Sequence, residues 1–273
     1  MTTPYLILPE TEYRKAPGMN YSQLKEMRQS PAKFKWAAEH PRSPSPAMSL
    51  GTAIHMAVLQ PDDFDKTYAA AGKFDRRTKV GKEAAEKWAT ENVGKIGLEN
   101  DDFDRILRVH SIMTTDPLIS QFISGGVAEA SWFATDPITG VQVKGRTDYW
   151  HPEKRVIVDI KTCDNAHESI FPMDARKYFY HVQMAFYSDL IEWRTGEKVE
   201  GCILLAVEKD GEADVIPYVL AGREMDVGRA LYRRWLNMFA ECVQDDKWPG
   251  YERKLTPIRF PDWYLDTQTE MEF

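Results

Sequence analysis

The sequence predicts an α/β fold in which a central mixed β-sheet is flanked by helices. The first observation is the stretch from Gly140 to Thr162, where two runs rich in Val, Ile and Tyr flank the polar group HPEK and so predict a β-hairpin. The second is a set of further strand-like runs at 127–135, 201–207 and 213–220, which alternate with longer helical patterns. The third is size, because 273 residues that are 43% hydrophobic can bury one large core. We therefore expect a single domain over residues 1–273.

The N-terminal half is predicted to be mainly helical. Residues 1–19 form an extended lead-in punctuated by proline. Ser22 is expected to cap a short helix through Arg28, and Ser30-Pro31 to begin a second one. After a loop at 40–48, Ser49 is expected to cap a helix that Pro61 ends. A loop-rich polar segment at 62–81, helices at 82–92 and 101–114, and a glycine-marked turn between these helices complete this half.

The C-terminal half alternates strands and helices. The strand at 127–135 is joined to the hairpin by a turn at 136–140. A loop at 164–174 precedes a long helix at 175–194, which is expected to end at Gly196. The strands at 201–207 and 213–220 follow, and then a helix at 224–244 that exposes three arginines, Arg229, Arg233 and Arg234. Residues 248–273 form a tail rich in aromatic residues.

Composition excludes several classes of protein. No apolar run approaches the roughly 20 residues that span a bilayer, so we expect a cytoplasmic protein without a membrane partner. The cysteines Cys163, Cys202 and Cys242 lie far apart without a CxxC pair, which excludes a disulfide framework and a four-cysteine metal or iron–sulfur site. The net charge of −7 counts against a nucleic-acid partner, although the run KFDRRTKVGK places five cations within ten residues.

The hairpin places three ionisable side chains on one face. Its second strand begins VIVDI, which is nearly all apolar and predicts an internal strand that is covered on both sides. A loop of two or four residues puts Asp148 opposite Ile157, so that Asp159 lies diagonal to Asp148 at roughly 7–8 Å between backbone positions. Lys161 points the same way, since positions two apart on a strand share a face. The two carboxylates can bind one cation, and the alternative is a buried ion pair between Lys161 and one aspartate.

Four further candidates have ordinary interpretations as well. His55 lies among apolar residues of a predicted helix, where a histidine is more often structural than a ligand. Glu129 lies in the strand at 127–135 and would be exposed by default. Gln183 and Tyr187 stand four apart on one helix and therefore share a face, as a polar residue and an aromatic at the edge of the core would.

The polar residues of the hairpin also form a pattern, in which ten residues separate Asp148 from the segment Asp159-Ile160-Lys161. This spacing resembles the core of the PD-(D/E)XK nuclease superfamily. The motifs LGTAIH, AEASW and HVQMAFY extend the resemblance to the RecB-type branch, and within it to nuclease domains of the RecE (exonuclease VIII) type. The resemblance covers roughly Tyr5 to Trp263. It implies a PD-(D/E)XK nuclease fold with a central mixed sheet flanked by helices.

The resemblance implies metal-dependent hydrolysis of a phosphodiester. The side chains of His55, Asp148 and Asp159, with the backbone carbonyl of Ile160, would bind Mg²⁺. Mn²⁺ is expected to replace it, because imidazole suits Mn²⁺ better. Lys161 would orient the attacking water and offset developing negative charge.

Other residues receive supporting roles from the same resemblance. Glu129 would complete a second metal site and so assist catalysis. Gln183 and Tyr187 would line a DNA channel beside the metals, since Gln can bond phosphates or base edges and Tyr can stack. From the basic run, Arg76 and Arg77 are expected to contact DNA phosphates.

The implied substrate is linear double-stranded DNA, digested from its 5′ ends to leave 3′ single strands for an annealing protein in recombination. Because a chain of net charge −7 has few clustered cations to retain DNA, we expect a ring-shaped trimer or tetramer that encloses it. Two alternatives remain open at this point. One is an endonuclease of the same fold, and the other is a catalytically inactive module that binds DNA ends or proteins.

Overall fold

A six-stranded β-sheet forms the centre of this computed structural model, which describes residues 3–40, 46–211 and 214–262. The strands of the described residues are β1 (Leu6–Ile7), β2 (Tyr68–Ala71), β3 (Ile96–Glu99), β4 (Val127–Thr135), β5 (Gln142–His151), β6 (Val156–Cys163), β7 (Gly201–Glu208) and β8 (Val215–Leu220). The large sheet has the order β1-β4-β5-β6-β7-β8, and β2 pairs with β3 in a separate parallel sheet. Within the large sheet only the β6–β7 pair is parallel.

Helices cover both faces of this sheet, which confirms the predicted α/β architecture. The helices of the described residues are α1 (Glu10–Lys15), α2 (Tyr21–Leu24), α3 (Pro31–Glu39), α4 (Pro46–Leu59), α5 (Pro61–Thr67), α6 (Lys79–Glu91), α7 (Asn100–Thr115), α8 (Pro117–Ile123), α9 (Phe171–Tyr178), α10 (Tyr180–Thr195) and α11 (Gly222–Asp245). A 3-10 helix, Lys25–Arg28, extends α2.

Two hydrophobic cores lie on opposite faces of the sheet and meet at β6 and β7. On one face, Ile157 and Leu204 pack in a core with Phe186 of α10 and Tyr232 of α11. On the other, Val158 and its neighbours pack in a core with buried residues of α4 and α7, among them Ile54, Ile106 and Val109. Consecutive residues of β6 therefore face different cores. This confirms that the second hairpin strand is internal and explains its nearly continuous apolar sequence.

The register of the hairpin differs from the predicted one. Ile157 pairs with Trp150 rather than with Asp148, because the four-residue loop is 152–155, one residue further along the chain than the predicted pairing requires, and the last pair is His151 with Val156. The register is thus shifted by two residues along the strand. An even shift keeps side chains on their face. Continued by one step beyond Tyr149 and Val158, this register brings Asp148 opposite Asp159 instead of diagonal to it.

The N-terminal lead-in is more structured than predicted. Strand β1 pairs with β4, and the ammonium group of Lys144 donates hydrogen bonds to the carbonyls of Tyr13, Arg14 and Ala16 at the end of α1. The next helix, α2, is capped by Asn20 and not by Ser22. The predicted start of α3 is confirmed, since Ser30 caps it and Pro31 is its first residue. Partners far along the chain order the lead-in, and local sequence does not reveal them.

The segment between α4 and β4 contains elements that the pattern did not predict. Helix α4 begins at Pro46, three residues before the expected cap, and the side chain of Ser49 lies outside the described residues. The supposed loop at 62–81 contains α5 and β2. The turn between the next two helices includes β3, and the short helix α8 precedes β4. The strand at 127–135 is confirmed as β4.

The predicted helix at 175–194 is interrupted by Phe179. This residue has a left-handed backbone (φ 64°) and separates α9 from α10, while Gly196 ends α10 as predicted. Tyr21 donates a hydrogen bond of 2.7 Å to the carbonyl of Phe179, and the guanidinium of Arg28 lies 5.1 Å from the Phe179 ring. These tertiary contacts hold a conformation that is uncommon for a residue other than glycine.

Helix α11 is present, but two of its three arginines are not free. Arg229 pairs with Asp189, and Arg233 pairs with the fully buried Asp136, whereas Arg234 is exposed as predicted. The predicted strand start at Ala213 and the tail from residue 263 onward lie outside the described residues, and β8 begins at Val215. Among the helices that the structure does describe, none combines the length and apolar character needed to cross a membrane.

Candidate metal centre

Three potential metal ligands converge from three elements of the fold. His55 comes from α4, Glu129 from β4 and Asp148 from β5, and one ligand atom of each lies within 4.8 Å of the others. All three side chains are half-buried. The sequence singled out each of them, although they are separated by long stretches of chain. The fold thus brings one imidazole and two carboxylates to a single point.

The group lies where β5 and β6 part. The ladder between these strands ends at the pair Tyr149 and Val158. One step further, the backbone N–H of Ile160 donates instead to Oδ2 of Asp148, at 2.8 Å. The carboxylate takes a hydrogen bond that a regular ladder would give to a backbone carbonyl. Asp148 is therefore held in a fixed orientation at the fork.

His55 bridges the two sides of this fork. Its Nε2 lies 3.0 Å from the carbonyl oxygen of Ile160, and its Nδ1 lies 3.4 Å from Oδ2 of Asp148. With the proton on Nε2, that atom donates to the carbonyl and leaves the lone pair of Nδ1 facing the carboxylate. A hydrogen bond from one ring nitrogen commonly orients the other for a metal. The imidazole and Asp148 are thus arranged to share one cation.

Asp159 and Lys161 form a buried ion pair beside this group. The Lys161 Nζ lies 2.5 Å from Oδ2 of Asp159, whose side chain is only 1% exposed. Burial raises the pKa of Asp159, Lys161 opposes this rise, and the negative charge of Asp148 adds to it. Burial would lower the pKa of Lys161, but Asp159 and Asp148 outweigh it and hold this pKa above its usual value. The ammonium group therefore stays charged.

The ion pair leaves the carboxylate of Asp159 incompletely bonded. Neither of its oxygens accepts a hydrogen bond of good geometry from any residue that the structure describes, despite the short contact with Lys161. Orphaned buried carboxylate oxygens are costly unless a cation or a donor reaches them. Asp159 lies next to the His55 group, since both His55 and Asp148 act on its pKa.

Glu129 is the most strained member of the centre. Its φ is 55°, and the flanking residues Ala128 and Ala130 pair with β5 while Glu129 itself stays outside the ladder. A non-glycine residue in this region costs on the order of 1–3 kcal/mol, and such strain clusters at functional sites. Burial raises the pKa of Glu129 to about 7, with a further contribution from the negative charge of Asp148.

A chain of hydrogen bonds runs from the lysine into α10. The Lys161 Nζ donates to Oε1 of Gln183 at 3.0 Å, and Nε2 of Gln183 donates to the hydroxyl of Tyr187 at 3.2 Å. Tyr187 is 9% exposed and packs against Gly145, where an added Cβ would come within 2.9 Å of the Tyr187 ring and 2.7 Å of Leu190. Both residues of the predicted pair thus lie beside the centre, with Tyr187 directed into the core.

The predicted DNA contacts of the basic run belong to none of the three elements that supply this cluster. Arg76 and Arg77 belong to the segment between β2 and α6. Arg77 forms a two-point ion pair with Asp75, at 2.9 and 3.0 Å. Arg76 is exposed and makes no ion pair with a described residue. The structure therefore leaves one of the two guanidinium groups ready for an anionic partner.

Comparison with known proteins places this architecture in a family. Residues 20–259 match the family described as the PDDEXK-like domain of unknown function, DUF3799. The chain belongs to this family. The matched segment includes all the residues of the metal centre, from His55 to Lys161, and also Gln183. A search of curated proteins finds no match.

One solved structure supports the fold of this chain. A candidate exonuclease from Eubacterium rectale superposes with a TM-score of 0.64 at 15% identity, over 97% of this chain and 100% of that chain. A phage-related exonuclease from Haemophilus somnus 129PT matches with a TM-score of 0.34 at 12% identity, over 87% of this chain and 100% of that chain. At such identities the first likeness shows the fold alone, and the second is too distant to support an argument.

The donor set of this PDDEXK-like chain fits a divalent cation. Nucleases of the PD-(D/E)XK type use divalent metals, and here two carboxylates and an imidazole lie within 4.8 Å of one another. The orphaned oxygens of Asp159 provide further negative charge beside them. Oxygen ligands suit Mg²⁺ and Mn²⁺ alike, while the imidazole favours the second.

Sequence reasoning missed three residues around the centre. Arg146 binds Glu129, and the ring of Tyr180 lies 4.8 Å from the Lys161 Nζ. Lys25 is close enough that Lys161 contributes to the lowering of its pKa, which burial chiefly causes. Only Arg146 carried a usable signal, because it lies two positions before Asp148 on the same strand.

Proposed function

We propose that this protein is a divalent-metal-dependent exodeoxyribonuclease, which degrades linear double-stranded DNA from 5′ ends and leaves 3′ single strands for recombination. The observation that carries the proposal is the convergence of His55, Glu129 and Asp148 beside the buried pair of Asp159 and Lys161. The PDDEXK-like family of the chain supports the nuclease activity. The choice of exonuclease and of 5′ polarity follows the resemblance of its motifs to RecE-type domains.

The residues divide the chemistry among them. His55, Asp148 and Asp159 would hold Mg²⁺, with Glu129 at a second position and the carbonyl of Ile160 at the edge. A divalent cation, when bound, supplies polarisation of the phosphoryl oxygens and a lowered pKa for water. These ligands converge from separate elements, and hydrogen bonds to Ile160 hold His55 and Asp148 in place. The site is thus arranged before substrate arrives, as electrostatic stabilisation requires.

Lys161 is proposed to act on the reacting water and phosphate. Its charged ammonium group has three donors, of which one is held by Gln183 and another faces Asp159 in the ion pair. The remaining donor would orient the attacking water, and the positive charge would balance the negative charge that develops on the phosphoryl oxygens. Tyr187 fixes the amide of Gln183 and so limits the movement of Lys161.

Electrostatic contacts with DNA are assigned to cations outside the centre. We infer that Arg76, and Arg77 once released from Asp75, contact phosphates of the duplex. Gln183 would contact DNA beside the metals. Lys25 lies near two further cations, since burial chiefly lowers its pKa and the positive charges of Arg28 and Lys161 lower it further. These cations would offset the net charge of −7 locally.

The decisive experiment compares linear and closed circular duplexes. Incubation with Mg²⁺ of DNA labelled at the 5′ or the 3′ end should release the 5′ label as short products and retain the 3′ label on long single strands. Closed circles should stay intact, and EDTA or the variant Asp148→Asn should abolish release. Cleavage of circles would establish an endonuclease instead. Absence of cleavage together with retained binding of DNA ends would establish the inactive binding module.

We further propose a ring-shaped trimer or tetramer that acts beside a single-strand annealing protein in the cytoplasm. The net charge of −7 motivates enclosure of DNA. The candidate contact surfaces are the exposed apolar side chains of Leu255 and Ile258 in the tail and the exposed Arg234 of α11. If the protein is a ring, an enzyme already bound to a labelled DNA end should continue to digest that molecule after excess unlabelled DNA is added as a competitor. Light scattering that shows a monomer, together with digestion that stops when the competitor is added, would refute the ring.

A further inference from the structure

Arg146 is a half-buried cation beside the metal centre, and its side chain is 10% exposed. Its Nη1 donates to Oε2 of Glu129 at 3.3 Å and to Oε2 of Glu10 at 2.6 Å. Its Nε donates to the hydroxyl of Ser131 at 3.2 Å. One planar group thus bonds at once to a carboxylate of the centre, to β4 and to α1.

The same guanidinium is fixed by the N-terminal segment. Its Nη2 donates to the carbonyl of Leu8 at 2.9 Å, and the guanidinium lies 4.3 Å from the ring centroid of Tyr13. Two residues earlier on β5, Lys144 bonds to three carbonyls at the end of α1. The lead-in is therefore anchored on β5 immediately before Asp148.

Glu129 depends on this arrangement more than a carboxylate in a regular strand would. It lies outside the β4–β5 ladder with a φ of 55°. Among the described residues, Arg146 is the one hydrogen-bond donor to its side chain. The rigid fork of Arg is suited to fix a carboxylate in one orientation, which the point charge of Lys does not do.

We propose that Arg146 is a positioning residue, which holds Glu129 in the orientation that binds the divalent cation and is itself held by Glu10 of α1. This inference rests on the proposed function. It extends the site to the N-terminal helix, which no motif of the sequence indicates. Arg146 acts through Glu129 and touches neither substrate nor metal.

Charge and geometry can be separated, because Glu10 already neutralises much of the charge of Arg146. If Arg146 acted only by its positive charge, it would repel the metal cation, and its removal would tighten metal binding. If Arg146 positions Glu129, its removal should weaken metal binding. The variant Arg146→Lys keeps the charge and removes the fork, so that any loss of affinity reports geometry.

The test is calorimetric titration of the full chain with Mn²⁺ and with Mg²⁺. Groups that orient metal ligands typically contribute 10–100-fold to metal affinity, so Arg146→Lys should lose about tenfold or more. Glu10→Gln should lose affinity in the same direction and by less. Arg155→Lys is the matched control, since Arg155 pairs with Glu200 at the surface and should leave affinity unchanged. With DNA as substrate, Arg146→Lys should raise the metal concentration for half-maximal activity and largely keep kcat at saturating metal.

The outcomes distinguish this inference from the proposed function. If the unmodified protein binds neither cation, the proposed metal-dependent function fails. If it binds metal, and Arg146→Lys stays within twofold of it while melting normally in EDTA, the positioning role is overturned. Should Arg146→Lys fail to fold, Glu10→Gln decides, because Glu10 is 54% exposed and its substitution leaves Arg146 in place.

Discussion

The ion pair between Arg233 and Asp136 allows a quantitative test of how α11 is attached to the sheet. Nη1 of Arg233 lies 2.5 Å from Oδ1 of Asp136, whose side chain is fully buried, in the turn that follows β4. The other oxygen of Asp136 accepts hydrogen bonds from the backbone N–H and the hydroxyl of Thr139. The variant Arg233→Met would remove the charge partner and keep most of the apolar stem.

Removal of one partner from a buried ion pair costs about 3–5 kcal/mol, because the other charge stays buried. Thr139 continues to donate two hydrogen bonds to Asp136, so we expect the lower end, about 3 kcal/mol. For a chain of this size each kcal/mol shifts Tm by about 2–4 °C, which gives a decrease of about 6–12 °C. The neighbouring variant Arg234→Met is the control, since Arg234 is exposed and its loss should stay within about 0.5 kcal/mol.

The effect should also depend on pH with a definite sign. Burial opposes ionisation of Asp136, but hydrogen bonds from Thr139 and Arg233 outweigh it and hold the pKa of Asp136 below its usual value. A carboxyl with a lowered folded-state pKa stabilises the protein above its unfolded pKa, and this stability is lost as pH falls through the folded pKa. The difference between Arg233→Met and the unmodified protein should therefore be full at pH 7 and shrink in acid.

Urea unfolding in EDTA, at neutral pH and below the ordinary aspartate pKa of about 4, measures both effects without a contribution from metal. A loss for Arg233→Met no larger than that for Arg234→Met would refute the reasoning. A loss that stays undiminished in acid would also refute it, since the charge of Asp136 would then not be its cause.

Three further predictions concern the site. Lys161→Ala should lower kcat far more than it weakens DNA binding, because its task lies in the transition state; single-turnover rates beside binding isotherms would show it, and equal losses would contradict it. Arg76→Ala should flatten the salt dependence of DNA binding by about one unit of logarithmic slope, which binding titrations across salt concentrations can measure, whereas an unchanged slope would remove Arg76 from the interface. Gly145→Ala should destabilise the chain by about 1–3 kcal/mol and lower kcat, because the added Cβ displaces Tyr187; unfolding and activity together test this, and full activity would exclude the link to Lys161.

Strands with alternating or β-branched sequences could be predicted from the sequence, whereas elements that depend on contacts with distant parts of the chain could not. The alternation and β-branched residues of β4 to β7 located these strands within a few residues. Strand β2, with the sequence YAAA, has little intrinsic preference for a strand and exists because it pairs with β3. The break at Phe179 likewise depends on Tyr21 and Arg28, which come from another part of the chain.

The candidate site was predictable in identity more than in geometry. The spacing of Asp148, Asp159 and Lys161 singled out the three residues, but periodicity alone could not decide which residues form the hairpin loop. The face of the sheet on which Asp148 lies was predicted correctly, because a register shift of two residues leaves every side chain on its face. The residue predicted to lie opposite Asp148 was wrong. The conformation of Glu129 depends on a local break in the ladder, for which residue types give no signal.

The parallel pairing of β6 with β7 has a consequence for synthesis of the chain. Strand β6 leaves the ribosome before α9, α10 and β7. Its apolar residues are therefore unpaired on the edge that later binds β7, until the connection through α9 and α10 has been synthesised. An unpaired apolar strand invites aggregation, and charges within it act as gatekeepers. Asp159 and Lys161 interrupt this strand, VIVDIKTC, with one charge of each sign. We therefore expect the two residues that are costly to bury in the finished protein to protect the nascent chain from aggregation.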